Sequence, residues 1–132
     1  MYRRAVAEDL SDVGVAIAWA DGLAAEHGMS DDVRYAIQLC LEEALSNLIL
    51  HAKTSGGPKD IEIAFAPDAP YATVTVTDAC MAFDPTGPLP KGDPAAIGGQ
   101  GLRLMQTFAA TLSYRRVDAR NELVLRLGPQ AT

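Results

Sequence analysis

Two cysteines, Cys40 and Cys80, are all that 132 residues contain, too few for a disulfide framework and not spaced as metal ligands. Reduced thiols in a cytoplasm fit them best. No uncharged apolar run approaches the roughly 20 residues that a membrane-spanning helix needs. No basic, apolar, small-residue leader opens the chain, so secretion is not expected. Positive charge is scarce as well: 11 Lys and Arg stand against 17 Asp and Glu, a formal net charge of −6. That balance argues against general binding to nucleic acid or to acidic membranes. It also repels any polyanionic ligand at long range, so such a ligand needs a metal ion or aligned backbone amides to be held. What remains is a globular composition, 48% hydrophobic and 21% charged, and a length suited to one domain spanning 1–132.

The densest signal is the stretch Leu39 to Ala52. Apolar residues at Val33, Ile37, Cys40, Leu41, Ala44 and Leu48 recur with the period of an amphipathic helix packed on a core. Ser30 is placed as its N-cap, with Asp31 and Asp32 in the first turn, where the helix dipole favours anions. Glu43, Asn47 and His51 lie four apart on the same helix and therefore form a row. The row borders the apolar stripe, so half-burial is expected. Two readings stand here: a site, or the solvated face that polar helix residues usually form.

The remaining elements follow in order. Tyr2 to Ala7 reads as a strand of poor alternation. A helix follows, capped by Ser11 and ended by Gly28. After a loop around Gly56–Gly57–Pro58, Ile61, Ile63 and Phe65 alternate with less apolar residues as in a half-buried strand. The turn Pro67 to Pro70 leads to a second strand, in which Val74 and Val76 alternate with threonines and which delivers Asp78 at its end. Ala79 to Gly99 is a long Pro- and Gly-rich loop, and loops of that length in compact domains are usually functional or mobile. A third helix carries Leu102, Met105, Phe108 and Ala109. Strands Leu112 to Val117 and Leu123 to Leu127 close the chain, with Asp118 to Asn121 as their turn. This order predicts an α+β sandwich of two layers, a mostly antiparallel sheet covered on one face by three helices.

Gly98–Gly99–Gln100–Gly101 stands directly before the third helix. Glycine lets backbone approach closely, and the first N–H groups of a helix carry partial positive charge, so this stretch is the one best able to hold phosphate. It is neither a Walker loop, since no Gly-Lys-Ser/Thr follows, nor a Rossmann fingerprint, since no parallel strand precedes it. By itself it serves equally as a plain turn. Asp78, a carboxylate at a strand end, can accept hydrogen bonds from an exocyclic amine or can simply start a turn.

Taken together, Glu-x-x-x-Asn-x-x-x-His-Ala from Glu43, Asp-x-x-x-x-Phe-Asp-Pro from Asp78, and Gly-Gly-x-Gly-Leu from Gly98 resemble the ATP-binding signature of the gyrase, Hsp90, histidine-kinase and MutL superfamily. The C-terminal stretch TLSYRRVDARNELVLRL resembles its small branch, the anti-sigma-factor serine kinases of the RsbW type. The resemblance covers nearly the whole chain and implies a Bergerat-type ATP-binding fold. It implies ATP and Mg²⁺ as cofactors, with Asn47 as the metal ligand and Glu43, one turn earlier, as the general base. It further implies Asp78 reading adenine, Gly98, Gly99 and Gly101 framing the phosphates with Leu102 behind them, and Thr86 to Ile97 forming a lid over the nucleotide. Lys91 is the lid's one cation. Phe83 keeps its place in the Phe-Asp-Pro motif.

One departure stands out: the family's Asp-x-Gly reads Asp78–Ala79–Cys80, so Cys80 contributes a side chain where glycine leaves backbone close to nucleotide. ATP binding is expected to survive it. The implied function is a cytoplasmic protein serine kinase that phosphorylates a STAS-type anti-sigma-factor antagonist and otherwise sequesters a sigma factor. The alternative is a partner-switching module with weak or no catalysis, which Cys80 favours. A histidine-kinase fragment is disfavoured, because no dimerisation helix precedes the domain. Homodimers are common in the family.

Overall fold

A computed structural model describes residues 1–83 and 105–129. The elements run β1 (Tyr2–Val6), α1 (Leu10–Glu26), α2 (Asp31–Leu50), β2 (Ile61–Asp68), β3 (Tyr71–Asp78), a helical segment at 105–108 (α3), β4 (Thr111–Val117) and β5 (Arg120–Leu127). The five strands form one sheet in the order β1-β2-β3-β5-β4, and every neighbouring pair is antiparallel. The helices lie on one face of it. The expected α+β sandwich is therefore the fold that forms.

The alternation in the sequence decides which face is covered. Ile61, Ile63 and Phe65 of β2, Val74 and Val76 of β3, and Leu123, Leu125 and Leu127 of β5 all point inward. The register places Ile63 opposite Val76 and Val76 opposite Leu123, so apolar rows run across three strands. Ile37, Leu41 and Leu45 of α2 are fully buried above them. Burying each such side chain is worth about 1.5–3 kcal/mol, which makes the contact of α2 with the sheet a main source of stability. Met105 and Ala109, in and just after α3, complete the same core.

β1 and β4 are the edge strands, and β1, whose alternation is poor, buries little of either face. Only Val6 of β1 is buried, and the edges carry Arg3, Arg4, Arg115 and Arg116, charges that discourage further strand pairing.

Three local expectations needed correction. The N-cap of α1 is Asp9, whose carboxylate accepts from the Ser11 amide at 2.9 Å, and not Ser11. Asp12, in the first turn, is engaged elsewhere, accepting from the Ala7 amide and from Arg4, both at 2.8 Å. Helix α2 is capped by Ser30 as expected, but it ends at Leu50. The last turn between strands is tighter than four residues: Asp118 and Ala119, with φ of 51° and 64°, form a two-residue hairpin loop, and Asn121 belongs to β5.

Candidate functional site

Beneath the C-terminal half of α2, a cavity of about 250 Å³ opens between that helix, the ends of β3 and β5, and the segment after β3. α2 contributes Asn47 and Leu48, with His51 just past its end; β3 contributes Val76 and Asp78; Cys80 and Phe83 follow on the connecting segment. Four of the candidate residues, Asn47, Asp78, Cys80 and Phe83, thus border one space although they lie on separate stretches of chain. Glu43 does not line it. It sits half-buried on α2, one turn before Asn47. His51 is exposed rather than half-buried, because the helix has ended and its backbone amide serves as a cap to the Asn47 carbonyl at 3.0 Å. Gly98, Gly99, Gly101 and Leu102, together with Lys91 and the expected lid, lie outside the described residues. Met105, from α3, reaches the cavity wall.

The end of α2 is held by a cation from the sheet side. Lys59 Nζ donates to the carbonyl oxygens of Leu48 and Ile49, both at 2.7 Å, which serves two of the four acceptors a helix C-terminus leaves unpaired. The backbone of the same loop takes the chain leaving β3: the Ala79 amide donates to the Lys59 carbonyl and the Met81 amide to the Lys53 carbonyl. The two walls of the cavity are tied together by this loop. No periodicity marks Lys59, and sequence reasoning missed it.

Asp78 and Asn121 are the buried polar residues among those described, 4% and 6% exposed. They face each other across β3 and β5. Asp78 Oδ1 accepts from the Cys80 amide and from Asn121 Nδ2, each at 2.9 Å. Asn121 Oδ1 in turn accepts from the Tyr114 hydroxyl at 2.6 Å and from Arg116 at 2.8 Å. Asn121, which the sequence places in the turn, is the second functional residue that local turn pattern does not reveal. Its parity with Leu123, Leu125 and Leu127 was the available signal: a polar side chain in an inward-facing series needs a buried partner.

Cys80 adopts no left-handed backbone conformation, so the missing glycine imposes no strain. Its side chain is 1% exposed, and burial, followed by the charge of the neighbouring Asp78, pushes the thiol up to about 12. Among the described residues no group of three or more His, Cys, Asp and Glu could hold a metal ion, and no helix is long and apolar enough to cross a membrane.

Comparison with known proteins gives these features their context. Residues 6–127 match the model of the histidine kinase-like ATPase domain. The chain belongs to that family. It is also 36% identical, over 115 residues, to the serine/threonine-protein kinase BtrW of Bordetella bronchiseptica, covering 83% of this chain and 81% of the relative. Within the kinase-like ATPases, its likeness is therefore to a protein kinase acting on serine or threonine. The family is one of ATPases, and the resemblance seen in the sequence motifs and the extent of the match agree.

Proposed function

We propose that the chain is an ATP-dependent protein serine/threonine kinase of the cytoplasm. In this reading it phosphorylates a STAS-type antagonist and, once that partner is modified and released, sequesters a sigma factor. The observation that carries the catalytic part is the convergence of Asn47 and Asp78 on one cavity, with Glu43 a single helical turn from Asn47. The switching part rests on the resemblance of the C-terminal stretch TLSYRRVDARNELVLRL to kinases of the RsbW type, beside the 36% identity to the serine/threonine-protein kinase BtrW.

The chain's own groups divide the work. The apolar wall, including Leu48, Val76, Met105 and Leu123, suits the faces of a purine and keeps water from them. Asp78 accepts a hydrogen bond from the exocyclic amine of adenine. Glu43 takes the proton of the attacking serine hydroxyl as its oxygen bonds to the γ-phosphorus; the bond from that phosphorus to the bridging oxygen breaks, and ADP leaves with the electron pair. Magnesium suits the donors present, because a hard cation that keeps several waters needs only the Asn47 amide oxygen besides phosphate oxygens, and when bound it neutralises triphosphate charge. That neutralisation answers the net charge of −6, which alone would repel the nucleotide. In a loose transition state, positioning outweighs base strength, so the rigid spacing of Glu43 and Asn47 on one helix is the useful feature.

The test is transfer of ³²P from labelled ATP to purified STAS-domain antagonists of the same organism, with wild type and Glu43→Ala side by side. Transfer by wild type alone supports the reading, and equal transfer by both rejects Glu43 as the base. A second reading, a partner-switching module with weak or no catalysis, is favoured by Cys80, whose side chain borders the cavity where the family has glycine. Stoichiometric phosphate transfer by wild type, abolished in Glu43→Ala, would exclude it.

A further inference from the structure

The amide of Asn121 meets five groups, and their chemistry fixes which way it points. On one side Nδ2 faces three acceptors: Asp78 Oδ1 at 2.9 Å, the Met81 carbonyl at 3.0 Å and the Cys80 carbonyl at 3.3 Å. On the other side Oδ1 faces the Tyr114 hydroxyl and the Arg116 guanidinium, which has no acceptor to offer. A flipped amide would set its oxygen against three oxygens and its NH₂ against a cation. Arg116 also donates to the Cys80 carbonyl at 3.1 Å, so the hairpin of β4 and β5 grips the chain leaving β3 at two points. Buried and low in dielectric, such a network is strong when every member is satisfied.

We infer that Asn121 is a positioning residue for base recognition: by holding Asp78 Oδ1 it commits the other carboxylate oxygen to the nucleobase. The inference rests on the reading of Asp78 as the acceptor for adenine. A carboxylate with both oxygens free can rotate, admit a water and tolerate several hydrogen-bonding partners. One with Oδ1 taken by the Cys80 amide and by Asn121, and with the Cys80 thiol also bonding the carboxylate, cannot turn freely and offers its remaining acceptor capacity in a fixed direction. Adenine offers an amine donor to that acceptor, whereas guanine offers a carbonyl oxygen, which it repels. Asn121 therefore sets the preference for ATP over GTP without touching either.

Asn121→Asp is the informative variant: it keeps the shape and the bonds from Tyr114 and Arg116, and when ionised it has no proton to donate to Asp78. Its ratio of ATP to GTP affinity is therefore followed from pH 7 to pH 9, where loss of a proton shared by two facing carboxyls shows as a pH dependence that wild type lacks. Titration calorimetry with Mg-ATP and Mg-GTP reads the ratio of the two affinities in wild type, Asn121→Asp, Asn121→Ala and Asp78→Asn. Cooperative thermal unfolding checks that each variant folds. A ratio at least tenfold lower in the folded Asn121 variants supports the inference, since loss of the hairpin tether alone would weaken both nucleotides together. If Asn121→Ala fails to fold, the isosteric aspartate variant decides. An unchanged ratio in folded Asn121→Asp, with a changed one in Asp78→Asn, overturns the positioning role and leaves the reading of Asp78 standing. An unchanged ratio in Asp78→Asn overturns both.

Discussion

Lys59 and Leu48, eleven residues apart, meet end to end: the ammonium lies 2.7 Å from the carbonyl oxygen at the last turn of α2. A second bond of equal length goes to Ile49. Replacing the lysine with methionine keeps most of the aliphatic stem and removes both bonds. Hydrogen bonds to a charged group contribute about 1.5–3 kcal/mol, discounted here because the residue is only half-buried. Lys59→Met is expected to lower the stability by about 1–2 kcal/mol in urea denaturation. An unchanged midpoint would mean that water serves those carbonyls equally well.

The two long helices are joined by Arg34, whose guanidinium forms a two-pronged contact with Asp21 at 2.9 Å on each prong, with Gln38 adding a bond at 3.1 Å. The Arg34 hydrogen bond holds the Asp21 carboxyl below its usual 3.8 against the opposing effect of burial, and Gln38 assists. A depressed folded-state value means stability that is fully present above the ordinary carboxylate range and lost as pH falls from there through the lowered folded-state value. The melting temperature of wild type should therefore exceed that of Asp21→Asn at pH 6, and the gap should begin to close below about pH 4 and keep narrowing as the pH falls further. A gap that stays constant down to pH 3 would contradict this.

The hairpin between β4 and β5 places Ala119 at φ 64°, a conformation that costs a residue bearing a Cβ roughly 1–2 kcal/mol and costs glycine little. Glycine gives part of this back through its freer unfolded chain. Ala119→Gly is expected to stabilise the protein by about 0.5–1 kcal/mol, visible as a higher urea midpoint. A lower midpoint would show that the entropy of the unfolded chain dominates.

Much of this architecture was legible beforehand, because its causes are local. Ser30 caps α2, the valines of β3 and the leucines of β5 face inward by strict alternation, and Asp78 falls at a strand end. The failures share a different cause. Asp9 displaced Ser11 as cap because the helix starts at Leu10, which puts Asp9 at the cap position with its carboxylate on the Ser11 amide and leaves Ser11 inside the first turn. Local pattern extends the turn to Asn121 because nothing in Asp118–Ala119 announces two left-handed residues. Lys59 and the hold of Asn121 on Asp78 depend on contacts across 11 and 43 residues, which no local pattern encodes.

Burial pushes the thiols of both Cys40 and Cys80 up to about 12, with Asp78 adding to the effect at Cys80. At pH 8 both should remain protonated and react slowly with a disulfide reagent such as Ellman's, releasing two equivalents only on unfolding. Reaction of Cys80 within seconds in the native protein would mean that the segment after β3 opens freely.

The most direct measurement is calorimetric titration with Mg-ATP of wild type, Asn47→Ala and Asp78→Ala, with thermal unfolding of each as the check on folding. If α2 and the end of β3 grip the two ends of one nucleotide, wild type binds a single equivalent, and each folded variant loses at least tenfold in affinity, about 1.4 kcal/mol. Absence of heat in wild type, or equal binding by all three proteins, would contradict it.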